Sequence, residues 1–319
     1  MGALRDVFAI AADWLEQNRS FALGTLVALR QAATAPVGTT LAVDEHGRVF
    51  GNIGAGCYEA EIVEACLKTA SDGLMRRLDI NLVDDEVTGA AECGAAMRIV
   101  TWRPQPAFRN EARAIAAGAC GVRLNLEYDE ADGSRVQFEH VFAQKETLIL
   151  IGATALAADL AAAARRLDFN VVVVDPRPAF ATKERVPDAF EIVREWPDDY
   201  LPRVLSERTS IVMLSHDSKF DLPALVCALN SNAPYIGLLG SRRSQAARRA
   251  SLRAKGFDEQ ALARINGPAG LDIGGVTPAE TALSILAEIV ALRHGGDGSS
   301  LRTLQGAIHR ERAPRGHER

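Results

Sequence analysis

No stretch of the 319 residues approaches the roughly 18 uninterrupted apolar positions of a membrane-spanning helix, so no membrane partner is expected. The five cysteines, Cys57, Cys66, Cys93, Cys120 and Cys227, form no C-x-x-C pair, and no H-x-x-x-H pair occurs. Both absences speak against a structural zinc site. An odd, widely spaced set also speaks against a secreted disulfide scaffold, so a reducing, cytoplasmic setting is expected. Excess positive charge is missing too: 36 Lys and Arg stand against 41 Asp and Glu, a net charge of -5. A general nucleic-acid binder is therefore not expected. There is no G-x-S-x-G elbow to support a Ser-His-Asp hydrolase. The opening MGALRDVFAIAADWLEQ carries Asp6, Asp13 and Glu16 in a helical pattern, which does not read as a signal peptide.

What is present is ordinary globular composition, 48% hydrophobic and 24% charged, in a chain long enough for two cores. The organising stretch is 147–177. Residues 147–151 and 171–174 are apolar without polar alternation, as parallel strands covered on both faces are. The alanine-rich 155–167 between them is long enough for a crossover helix. Gly152 follows the first strand, and Asp175 stands where a dinucleotide fold places its ribose-binding acid. The G-x-G-x-x-G/A fingerprint is broken at its second glycine by Thr154, whereas Ala157 fits its last position.

Before that stretch the spacing predicts an amphipathic helix from Leu4 to about Asn18, a strand over 21–29 and a hairpin of 39–43 with 48–53. A glycine-dense loop, 51–57, leads into a helix over 58–70. Strands at 78–82 and 97–102, a helix over 108–119 and a hairpin of 122–128 with 135–142 complete an N-terminal mixed α/β domain, 1–144. The second domain, 145–293, alternates strand and helix in the manner of a Rossmann-like, doubly wound parallel sheet. Its further strands are expected at 210–214 and 235–239, and its helices at 222–230, 244–255 and 259–265. The last helix starts with Thr277 at the N-cap, Pro278 in the first turn and Glu280 closing a capping box. It is apolar on most sides and is expected to be buried. Residues 294–319 read as a basic, weakly helical tail.

Four places can carry chemistry. Cys57 ends the glycine-rich loop at a helix start, where unpaired N–H groups and the dipole favour a thiolate, and Gly54 and Gly56 let backbone approach a ligand closely. It reads equally as a small buried hydrophobe. Cys93, in Glu92-Cys93-Gly94, becomes its redox or ligand partner if the fold brings the two together. Cys66, Cys120 and Cys227 read as core. Ser241, Arg242 and Arg243 follow a glycine turn and open a helix, an arrangement that suits an anion or phosphate, while Arg248, Arg249 and Arg253 read as a solvated face. His216, between Ser215 and Asp217, follows a strand of the parallel sheet and can act as acid, base or phosphate donor, or simply cap a loop.

Taken together, these segments resemble the XdhC/CoxI family, the accessory proteins of molybdenum hydroxylases such as xanthine dehydrogenase. The resemblance rests on the loop from Gly51 to Glu59, on Glu92-Cys93-Gly94, Val174-Asp175-Pro176-Arg177 and Ser215-His216-Asp217, and on the run from Tyr235 to Arg243. Its most specific piece is Gly267-Pro268-Ala269-Gly270-Leu271-Asp272-Ile273-Gly274 before the capped helix. It implies a homodimeric, non-enzymatic accessory protein that binds molybdenum cofactor, as molybdopterin or its dinucleotide form. Such a protein presents the cofactor to a cysteine desulfurase and delivers it to the apo-hydroxylase. On that reading Cys57 meets molybdenum or sulfur, a soft-ligand pairing. Gly152, Thr154, Asp175, His216, Asp272 and the Ser241, Arg242, Arg243 clamp line the cleft. The chain departs from the family where Gly-Ala-Gly-His becomes Gly152-Ala153-Thr154-Ala155, which marks a divergent member. Two alternatives stand beside this reading. One is an NAD(P)-dependent oxidoreductase with Asp175 on the ribose, a role that Thr154 weakens. The other is a degenerate interaction protein that keeps only the fold.

Overall fold

A computed structural model of the chain describes residues 5–30, 35–53, 58–82, 95–130, 132–215 and 217–303. The chain divides into two compact units, Met1–Lys145 and Glu146–Arg319.

The first unit is built on a five-stranded antiparallel sheet in the order β3-β2-β1-β5-β4. Its strands are β1 (Phe21–Arg30), β2 (Thr40–Asp44), β3 (Val49–Phe50), β4 (Arg76–Leu82) and β5 (Ala95–Trp102). Period-two alternation sorts β1 between two cores. Phe21 and Leu23 face α1 (Asp6–Glu16) and α3 (Arg109–Ala117), together with the hairpin of β6 (Val122–Asp129) and β7 (Arg135–Phe142). Ala22 and Leu26 face α2 (Glu59–Asp72). Gly24 has no side chain because α2 lies on it: a Cβ there would meet Ile62 at 3.3 Å and Cys66 Sγ at 3.4 Å.

The second unit is a six-stranded parallel sheet in the order β10-β9-β8-β11-β12-β13. Its strands are β8 (Thr147–Ile151), β9 (Asn170–Val174), β10 (Glu191–Val193), β11 (Thr209–Met213), β12 (Tyr235–Leu238) and β13 (Ile265–Asn266). Numbered along the chain this is 3-2-1-4-5-6, the doubly wound order of dinucleotide-binding folds. Leu148 and Leu150 pack under α4 (Ala155–Arg166) and α9 (Pro278–His294); Ile149 and Ile151 pack under α6 (Ser218–Leu229), α7 (Arg242–Ala254) and α8 (Glu259–Ala263). Ala157, Ala161 and Ala164 are fully buried, so the alanines of α4 let the helix lie close to the sheet and to α9.

Several expectations need correction. β10 and β13 carry no run long enough to announce a strand, and residues 264–266 leave the expected helix because Ile265 and Asn266 pair with Ile236 and Gly237. α6 starts four residues early, at Ser218, because Asp217 caps it. The capping box at Thr277 and Glu280 is present, but α9 is not buried all round. Ala282, Ile285, Leu286 and Ile289 face the core, whereas Leu283 and Leu292 remain 60% and 53% exposed because only one side of the helix meets the sheet. Cys120 is exposed rather than core.

Candidate functional site

Strand order reverses between β8 and β11, and ligands of open parallel sheets lie outside the carboxyl ends of the strands at that point. Gly152 ends β8 with φ +106°, a left-handed conformation that glycine adopts freely. A Cβ there would lie 3.3 Å from the Ser215 backbone nitrogen at the end of β11, so the missing side chain lets the two strand ends meet. Thr154 serves α4 as its N-cap, its hydroxyl accepting from the Ala157 N–H at 3.3 Å. The side chain that breaks the glycine fingerprint is thus turned onto its own helix. Ser215 is buried and accepts from the Asp217 N–H at 2.9 Å, and Asp217 in turn accepts from the Lys219 N–H at 3.0 Å. His216, between them, lies outside the described residues.

Asp175 is 1% exposed and is fully occupied by its own chain. Oδ1 accepts from the Arg177 N–H at 3.0 Å and from Arg177 Nε at 2.9 Å. Oδ2 accepts from the Ala153 N–H at 2.9 Å and from Arg177 Nη2 at 2.7 Å. A carboxylate offers about four acceptor positions, and four donors fill them. Burial alone would raise this carboxyl group; the Arg177 side-chain bonds, the two backbone N–H groups and the guanidinium charge outweigh it and hold the group below its ordinary value.

At the end of β12, Gly240 has φ +124° and feeds Ser241, the N-cap of α7. The Ser241 hydroxyl accepts from the Ser244 N–H at 3.3 Å and lies 3.1 Å from the Ser244 hydroxyl. Arg242 and Arg243 are exposed, and neither forms an ion pair with any described residue. The helix start therefore presents two uncommitted guanidinium groups beside first-turn N–H groups, the elements of an anion site. The other arginines of α7 differ from expectation. Arg248, its side chain 11% exposed, pairs with the buried Asp221 of α6, and a Cβ at Gly240 would lie 3.2 Å from its Nη1. Arg249 donates to the Leu262 and Ile265 carbonyls at 3.1 and 3.2 Å. Arg253 alone keeps to solvent, paired with Glu259 at 2.6 Å.

Asp272 is exposed and accepts from the Gly274 N–H at 3.3 Å. Its loop is clasped onto α9 by groups that sequence reasoning missed. Buried Tyr235 donates its hydroxyl to Glu288 Oε2 at 2.6 Å, the same oxygen accepts from the Gly270 N–H at 2.9 Å, and Ser284 donates to the Leu271 carbonyl. Burial first, and then the Glu288 carboxylate, push the Tyr235 phenol far above its ordinary value. Only the spacing from Tyr235 to Gly237 hinted at this clasp. A Cβ at Gly237 would meet the Tyr235 ring at 2.7 Å, so the glycine makes room for it.

Gly54, Gly56, Cys57 and Cys93 lie outside the described residues. Burial pushes the Cys66 thiol up to about 12, so it stays protonated and inert. Among the described residues no group of three or more His, Cys, Asp or Glu side chains is arranged to hold a metal. An open hollow of about 600 Å³ beside Asn230, Lys255 and Phe257 sits at the opposite, amino edge of the parallel sheet and holds none of these groups.

Two family models match the chain. Residues 148–289 match the XdhC Rossmann domain, and residues 14–81 match the XdhC and CoxI family. The uncharacterized protein YqeB of Escherichia coli K12 is 26% identical over 98% of this chain, which spans only 50% of that relative's length. The molybdenum cofactor insertion chaperone PaoD of the same organism is 24% identical over 91% of this chain and 88% of its own length. A Bacillus subtilis 168 protein named as a probable xanthine dehydrogenase subunit is 23% identical over 88% of this chain and 95% of its own. A crystal structure described as a xanthine dehydrogenase from Bacillus halodurans shares the fold, with a TM-score of 0.74 and 21% identity over 92% of this chain and 98% of that one.

Proposed function

The chain belongs to the XdhC and CoxI family, and from that premise we propose that it binds molybdenum cofactor as cargo and passes it to the apo-form of a molybdenum hydroxylase. The observation that carries this reading is the match, along 91% of the chain, to a relative named as a molybdenum cofactor insertion chaperone. The carboxyl edge of the second unit supports it independently. A pterin cofactor carries phosphate, and the start of α7 offers Ser241 with uncommitted Arg242 and Arg243 to receive that phosphate. In this reading Gly152 keeps the crevice floor low, Asp272 borders it on the clasped loop, and His216 follows β11 at its mouth. Cys57, with Cys93 as partner, is proposed to meet the molybdenum or the sulfur supplied by a cysteine desulfurase. The chain itself turns over no substrate.

The nicotinamide reading fares worse. A ribose needs a carboxylate with a vacant acceptor position, and all four positions on Asp175 are filled by Arg177 and Ala153. The test is delivery. Purified chain loaded in a cofactor-producing host is mixed with apo-hydroxylase, and hydroxylase activity is followed. Activity should appear with the wild-type chain and fall at least tenfold with Cys57→Ala. Equal activity with and without the chain would refute the proposal, and full delivery by Cys57→Ala would refute the assignment of that thiol.

A further inference from the structure

Three separate crossings of the parallel sheet bring planar side chains to one place at its carboxyl edge. Arg177 and Phe180 follow β9, Trp196 follows β10, and Phe220 belongs to α6 after β11. The Arg177 guanidinium lies 4.4 Å from the Phe180 ring and 5.3 Å from the Phe220 ring. Arg185 also lies over Phe180, at 5.1 Å. On its other side the group continues to Trp196, whose ring centroid is 5.2 Å from that of Phe220 at an interplanar angle of 35°. Arg177 is fixed in this stack because Asp175 grips two of its guanidinium nitrogens.

The chain contains three tryptophans, and the other two, Trp14 and Trp102, are buried in the first unit. Trp196 is 46% exposed and Phe180 is 40% exposed. Keeping an indole half in water is unfavourable for a side chain of this size, and here its inner face is backed by Phe220 while its outer surface is open. A rigid, half-open aromatic surface next to fixed guanidinium groups suits a planar heterocycle that carries phosphate.

We propose that this edge is a nucleotide-binding platform, with the base stacked on Trp196 and the phosphate drawn to Arg177. Asp175 is then a positioning residue: it holds Arg177 in the stack and leaves the ligand to the guanidinium. The proposal does not depend on the cofactor reading, since it concerns any nucleotide. Pterin carriage and nucleotide binding can fail separately.

Calorimetric titration of the full chain with AMP, CMP and GMP, with the matching nucleosides, and with ribose 5-phosphate separates the two contacts. Nucleotides should bind more tightly than nucleosides, and ribose 5-phosphate should bind least. Trp196→Leu should weaken nucleosides and nucleotides alike by about tenfold or more, the order expected for loss of one stacked base. Trp196→Phe should restore most of that affinity. Arg177→Gln should weaken nucleotides and leave nucleosides unchanged. Circular dichroism of each variant confirms that it is folded. No binding of any nucleotide, or binding unchanged by Trp196→Leu in a folded variant, would overturn the platform.

Discussion

Four donors converge on the Asp175 carboxylate, so Asp175→Asn turns two acceptor positions into an amide facing a guanidinium. A buried acceptor lost to a charged donor costs about 2 kcal/mol once the partial exposure of Arg177 is allowed for. Because the folded carboxyl group is held below its ordinary value of about 3.9, its contribution is present above that pH and is lost as pH falls through the folded value. Urea unfolding should therefore show a wide gap between wild type and Asp175→Asn at neutral pH and a narrower one near about pH 3. An equal gap at both would contradict the hydrogen-bond account. At this scale the residue type was legible but its partner was not. The acid at the end of the second strand is visible in the sequence, whereas the return of Arg177 onto it depends on a local turn that spacing does not reveal. Thr154 is similar: its departure from glycine is visible, and its use as a helix cap emerges only from the backbone around it.

Among the elements, the most legible were those whose local pattern and final burial agree. β8, β9, β11 and β12 are short unbroken apolar runs and are buried in the middle of the sheet. β10 and β13 are edge strands of three and two residues, defined by their neighbour and not by their own composition. α9 was located correctly by its capping box, and Thr277→Ala should cost about 1 kcal/mol in thermal or urea unfolding. No measurable loss would mean that the tertiary clasp through Tyr235, Glu288 and Gly270 holds this end of the helix unaided. The exposed Leu283 and Leu292 were not legible because composition cannot tell which faces of an apolar helix the sheet will cover.

At the scale of the whole molecule, family membership rests on both halves of the chain, and no helix among the described residues is long and apolar enough to cross a membrane. The doubly wound order of the second unit gathers a guanidinium-flanked helix start, a filled carboxylate and an aromatic platform along one sheet edge. That combination suits carriage of a phosphate-bearing heterocycle better than hydride transfer at a free ribose acid. The most direct measurement is the pterin content of the chain isolated from a host that makes molybdenum cofactor, read after oxidation as pterin fluorescence per mole of protein. Wild type should carry near-stoichiometric pterin, and the Arg242→Ala, Arg243→Ala double variant, correctly folded, should carry several-fold less. Wild-type protein that carries none from such a host would contradict the account at its centre.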